Sequence, residues 1–273
     1  MIDFSKSLEA FKGNVSAEIL TYEDKKQEYE AYLKDYDIEN GSIKLKLRHT
    51  YEVVIKSEYI ASRLGLNKEN TELAKLIALL HDIGRFEQIR IYHTFIDKKS
   101  INHGELGAKV LFEEGLIRKF IETDEFDEII RLSIINHNRD DIEEDLTERQ
   151  LLHAKLIRDA DRTDIFYILI TGEEKTIWET DNMNNEIVTN EIYREFIEDK
   201  HIKFKNMETS GDILVGHFAY IYGLYFKPAL KIFKDKKYVD QLYNRFNFTN
   251  KDTAEKFKVI HEKAKQYIEE KGW

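Results

Sequence analysis

The side chains that we consider as candidate metal ligands lie at five places between residues 49 and 161. They are His49, the adjacent pair His81-Asp82, His103, His137 and Asp161. Imidazole and carboxylate ligands together suit Mn, Fe, Co, Ni or Zn, and a carboxylate has two oxygens with which to bridge two ions. The chain contains no cysteine, so a transition-metal site must be built from these two ligand types. Asp82 is the natural bridging ligand.

The spacing of apolar residues predicts a helix at each of these places. The helices span about residues 43–64, 71–82, 103–114, 127–136 and 147–170. Adjacent residues on a helix point about 100° apart, so His81 and Asp82 serve one site only if they lie at a helix end. Gly84 is predicted to provide that end in a left-handed conformation.

The remaining segments are predicted to support or cover this group. An opening helix is expected from Val15 to Tyr36, ended by Asn40-Gly41. Residues 86–102 lack a clear period and are predicted to be a loop that could cover a pocket, and 171–211 is a second candidate lid. Helical periodicity returns over 212–233 and 239–273. No linker composition forces a boundary, so residues 1–273 are predicted to form a single domain.

Composition favours an all-α protein and argues against some classes of partner. The chain has one proline and 12 glycines in 273 residues, and 42% of its residues are hydrophobic. A formal net charge of -10 argues against a nucleic-acid duplex as partner, because such binding needs basic surface. The apolar runs are shorter than the roughly 20 residues that span a bilayer, and the N-terminus has no signal-peptide pattern. We therefore expect a cytoplasmic protein without a membrane partner.

The ordered ligand set resembles the HD superfamily of metal-dependent phosphohydrolases. Local context carries the resemblance in three stretches: Arg48-His49-Thr50-Tyr51-Glu52, Leu80-His81-Asp82-Ile83-Gly84-Arg85 and Asp159-Ala160-Asp161-Arg162-Thr163-Asp164. It covers roughly Leu45 to Ile170. The resemblance implies a helical core over about residues 44–170, with a helical extension over about residues 171–273.

The resemblance also implies roles for individual residues. In members with one metal, the positions matching His49, His81, Asp82 and Asp161 hold the ion. In the dinuclear subset, the positions matching His103 and His137 hold a second ion. The implied cofactor is therefore one or two divalent ions of Fe, Mn, Co, Ni or Zn, with Mg also allowed.

The implied reaction is metal-activated attack of water on a nucleotide or other small phosphoester. Asp82 is the expected catalytic carboxylate. Arg85, where many family members carry lysine, is the expected catalytic and phosphate-gripping cation, and Lys99 is a further candidate for substrate binding.

Several alternatives stay open at the level of sequence. Some helical HD proteins with this ligand order are oxygenases that use two iron ions, and others could bind a nucleotide without turning it over. His103 and His137 could contact substrate phosphate or cap a helix, and Arg85 could form a surface ion pair with Glu87. The substrate and the oligomeric state are not predicted.

Overall fold

The computed structural model describes residues 8–12, 21–178, 180–198 and 202–272. Within these ranges the regular elements are helices and no strand occurs, which confirms the all-α prediction. The chain divides into two compact units, Met1–Asp161 and Arg162–Trp273. That the two units form a single domain stays a prediction.

The first unit contains the elements that carry the candidate ligands. Its α-helices are α1 (Tyr22–Leu33), α2 (Gly41–Leu64), α3 (Lys68–Leu80), α4 (Ile83–Tyr92), α5 (His103–Ala108), α6 (Asp127–His137) and the start of α7 (Glu148–Thr171). Short 3-10 turns lie at Leu8–Phe11, Asp97–Lys99 and Leu116–Lys119, and a π-helical turn at Lys109–Glu113 follows α5.

Polar caps and glycines set the ends of the helices that frame the site. The Asn40 side chain accepts from Ser42 N and begins α2, so this residue caps the second helix and does not end the first. Gly65 ends α2 with φ 72°. Asn102 caps α5 by accepting from Glu105 N. Residues 15–20 of the predicted opening helix lie outside the described residues.

The prediction for Gly84 was wrong in its physical reason. Gly84 lies inside the first turn of α4, and α4 packs closely on α5 at this point. A Cβ at residue 84 would lie 2.2 Å from the backbone oxygen of His103 and 2.5 Å from the nitrogen of Gly107. Glycine is therefore needed for close helix packing, and the break between α3 and α4 is made by His81 and Asp82 themselves.

The predicted loop over residues 86–102 is also shorter than expected. Helix α4 continues to Tyr92 and ends at His93, which takes a left-handed conformation with φ 57°. Phe86 explains why this polar sequence is helical, because its buried ring contacts the rings of Tyr29 and Tyr36. Tertiary packing thus outweighs the weak local pattern.

The second unit is helical as well. It contains the end of α7, α8 (Glu174–Trp178), α9 (Asn190–Glu198), α10 (Ser210–Ala219), α11 (Lys227–Lys236), α12 (Tyr238–Asn244) and α13 (Lys251–Lys271). Trp178, Met183 and Val188 are buried within the 171–211 region. Its role as a lid stays a prediction, and residues 179 and 199–201 lie outside the described residues. Each helix in the described ranges is too short or too polar to cross a membrane.

Candidate metal centre

Helix ends bring most of the candidate ligands together in the first unit. His81 directly follows the last residue of α3 and Asp82 directly precedes the first residue of α4, so the break between the two helices aims both side chains at one point. His103 begins α5 and His137 ends α6. The other two ligands come from within helices, and all six predicted side chains are buried: His49, His81, Asp82, His103, His137 and Asp161.

One oxygen of Asp82 faces a first group of ligands. His49 Nε2 lies 3.9 Å and His81 Nε2 3.8 Å from Asp82 Oδ2. Asp161 Oδ1 lies 3.0 Å from His49 Nε2 and 3.7 Å from His81 Nε2. We call His49, His81, Asp161 and Asp82 Oδ2 the first half-site.

The other oxygen of Asp82 faces a second group. Asp82 Oδ1 lies 3.3 Å from His103 Nε2 and 3.9 Å from His137 Nε2. The two histidine nitrogens are 3.0 Å apart. We call Asp82 Oδ1, His103 and His137 the second half-site. Asp82 therefore has one oxygen for each half-site, which is the arrangement that a bridging carboxylate requires.

Three of the histidines are held in the tautomer that a metal ligand needs. His81 Nδ1 donates to the carbonyl of Ala78 at 2.7 Å, and His137 Nδ1 donates to that of Ile134 at 2.6 Å. His103 Nδ1 donates to Asp97 Oδ2 at 2.7 Å. Because each Nδ1 carries the proton, each neutral ring presents a lone pair at Nε2.

Burial keeps these rings neutral. It lowers the pKa of His81, His103 and His137 to about 4 in each case, against an ordinary value of 6.5. The Nε2 lone pairs of His103 and His137 thus face each other at 3.0 Å near neutral pH. Two lone pairs at this distance repel unless a cation lies between them. Nε2 of His81 is also buried without a hydrogen-bond partner. These orphaned acceptors fit a metal ion.

The carboxylates are ionised, as metal ligands must be. Burial alone would raise the pKa of Asp82, but the positive charge of Lys46, supported by that of Arg85, holds it well below its usual range. Burial opposes ionisation of Asp161 in the same way. The hydrogen bond from His49 nevertheless lowers the pKa of Asp161. Two sets of three ligand atoms, His49-His81-Asp82 and Asp82-His103-His137, are each close enough to hold one ion.

Arg85 and Lys99, the two cations singled out in the sequence, occupy different surroundings. Arg85 Nε lies 3.5 Å from Asp82 Oδ1, and its Nη1 donates to Asp97 Oδ1 at 2.8 Å. Lys99 is exposed on the turn Asp97–Lys99. Arg85 therefore borders the centre, but its bond to Asp97 already restrains the guanidinium.

Sequence reasoning missed two residues beside the centre. Lys46 Nζ donates to Asp82 Oδ2 at 2.9 Å, and Asp97 bonds to His103. Lys46 lies three residues before His49 on α2, and this spacing places both on one helix face, which was a usable signal. Asp97 lies outside any periodic segment, so the sequence contained no signal for its role.

The comparisons with known proteins agree with this geometry. Residues 47–165 match the family model described as HD domain, and this match includes all six buried ligand candidates. This segment is therefore an HD domain, a fold of the metal-dependent hydrolase superfamily. No curated protein and no solved structure matches the chain.

Proposed function

We propose that the HD domain of residues 47–165 hydrolyses a nucleotide or other small phosphoester with two divalent ions bound at its buried centre. The division of the two Asp82 oxygens between two half-sites carries the proposal. His49, His81, Asp82 and Asp161 would hold one ion, and Asp82, His103 and His137 the other. When bound, such ions act as Lewis acids that activate water and neutralise phosphoryl oxygens. Fe, Mn, Co, Ni and Zn suit these ligands, and Mg is allowed.

Two cations beside Asp82 support a phosphorylated substrate. Lys46 and Arg85 both lie at the shared carboxylate, with side chains 22% and 14% exposed. Lys46 has three N–H donors, and the hydrogen bond shown for it in the described part of the chain uses one of them. We assign to Lys46 contact with a phosphoryl oxygen of the substrate. Arg85 is the second candidate for this contact, and Lys99 would act only at the outer edge.

The experiment is a screen of phosphoesters with metal-free protein reloaded with Mn, Fe, Co, Ni or Mg, in which phosphate release is measured. We expect metal-dependent hydrolysis, with kcat/KM lowered on the order of 10²-fold in Lys46→Ala and partly restored in Lys46→Arg. Lys44→Ala is the matched control, because Lys44 lies on the same helix, is 62% exposed and pairs with Glu39.

Two outcomes would contradict the proposal. Iron-dependent oxygen uptake without hydrolysis of any phosphoester would show that the centre belongs to an oxygenase. Tight nucleotide binding without product release would show a regulatory module. Equal kcat/KM in Lys46→Ala and Lys44→Ala would remove Lys46 from the site and leave the reaction class standing.

A further inference from the structure

Asp97 links the second half-site to helix α4. It lies on the turn Asp97–Lys99, in the segment that joins α4 to α5. Its Oδ2 accepts from His103 Nδ1 at 2.7 Å, and its Oδ1 accepts from Arg85 Nη1 at 2.8 Å and from Gln88 Nε2 at 2.9 Å. One carboxylate therefore connects a candidate metal ligand to two residues of the preceding helix.

His103 needs this carboxylate because of its position at the start of a helix. His81 and His137 each donate Nδ1–H to a carbonyl three residues earlier, that of Ala78 or Ile134, near the end of their own helix. His103 is the first residue of α5 and has no preceding helical turn. A side chain must take the place of the backbone carbonyl, and Asp97 does so.

Asp97 is itself held in place by α4. Arg85 Nη1 also donates to the carbonyl of Phe95, so the guanidinium binds this segment at two points. Gln88 is fully buried, and its Nε2 also lies 2.9 Å from Ser100 Oγ. The segment before α5 is thus fastened to α4 on both sides of Asp97. A restrained acceptor fixes both the tautomer and the orientation of the ring that donates to it.

We propose that Asp97, held by Arg85, is a positioning residue that makes His103 competent to bind the ion of the second half-site. This inference rests on the proposed two-metal centre. The hydrogen bonds of the Asp97 carboxylate go to His103, Arg85, Gln88 and Asn138, all of which lie outside the first half-site. Its loss should therefore affect one ion and spare the other. On this account Arg85 acts on the centre through Asp97 and His103, in addition to any contact with substrate.

The test is calorimetric titration of metal-free protein with Mn²⁺ alone, together with electron paramagnetic resonance of the loaded protein. In Asp97→Ala we expect the first ion to keep its wild-type Kd and the second ion to bind about 10- to 100-fold more weakly. The spectrum should change from that of a coupled ion pair to that of an isolated Mn²⁺. In Asp97→Asn the amide oxygen can still accept from His103, so the loss should be smaller.

Two further variants distinguish a specific effect on the second ion from a general loss of stability. Asp124→Asn makes the same chemical change at an exposed aspartate of the same unit and should bind both ions as wild type does. Arg85→Ala removes one of the hydrogen bonds that restrain the Asp97 carboxylate. It should weaken binding of the second ion less than Asp97→Ala does. A graded effect confined to one ion is not expected from general destabilisation.

Three results would overturn the inference. They are wild-type affinity for both ions in Asp97→Ala, equal loss of both ions in that variant, and a wild-type protein that binds only one ion. A wild-type protein that binds two ions but hydrolyses no phosphoester would defeat the proposed function alone. A selective loss of the second ion in Asp97→Ala would support the inference in that case too.

Discussion

Replacing Gly84 with alanine should damage the second half-site through helix packing alone. The added Cβ would lie 2.2 Å from the His103 oxygen, which is 1.2 Å short of the 3.4 Å at which ordinary contact begins. Both nearest atoms are backbone and cannot rotate away, so α5 must move from α4. Metal–ligand distances tolerate only about 0.2 Å. A shift of this size at the first residue of α5 would therefore carry His103 out of ligand range.

The expected cost in stability is near the upper end of the roughly 1–3 kcal/mol typical of overpacked sites. For a chain of this size, about 3 kcal/mol corresponds to a fall in Tm of roughly 6–12 °C. The assay is thermal unfolding of metal-free protein, followed by Mn²⁺ titration of the folded form. Gly41→Ala is the matched control, since a Cβ at residue 41 meets nothing within 4 Å. Wild-type Tm and two bound ions in Gly84→Ala would refute the packing argument.

Two further predictions concern the ligands and a buried histidine. His103→Ala and His137→Ala should each lower Mn²⁺ stoichiometry from about two ions to about one; if wild type binds only one ion, these histidines are reassigned to substrate contact or proton transfer. Burial lowers the pKa of His153 to about 3, below its ordinary 6.5, so the stability it contributes is present above pH 6.5 and is lost as pH falls toward 3. Urea unfolding of metal-free protein should show that His153→Gln loses less stability than wild type between pH 6.5 and 4.5, by up to about 3 kcal/mol; equal losses in both proteins would contradict this.

The meeting of the six candidate side chains was predictable because each lies in a strongly periodic segment or at its end. The predicted helix over 127–136 is confirmed by α6, which ends at His137, and the long helix from residue 147 by α7. Every candidate ligand is buried in the first unit. Ordered spacing along amphipathic helices therefore carried enough information to predict which side chains meet.

The contacts that orient the ligands were not predictable in the same way. The sequence led us to predict a helix end at Gly84. That prediction failed because glycine serves both left-handed turns and close helix packing, and the sequence does not distinguish these two uses. Helix α4 is stabilised by the contact of Phe86 with Tyr29 and Tyr32 of α1, which lie more than fifty residues earlier in the chain. Asp97 acts through a hydrogen bond across a non-periodic segment. Long-range packing and side-chain hydrogen bonds leave no periodic signal.

The most direct test of the central claim is metal analysis of wild type and Asp82→Ala after reloading with Mn²⁺ under identical conditions. Asp82 is the one residue shared by both half-sites, so its loss should remove most of both ions. Circular dichroism should show the helical fold retained, because apolar helix faces form the core. We predict about two ions in wild type and little tightly bound metal in the variant. Wild-type stoichiometry in a folded Asp82→Ala protein would contradict a centre bridged by this carboxylate.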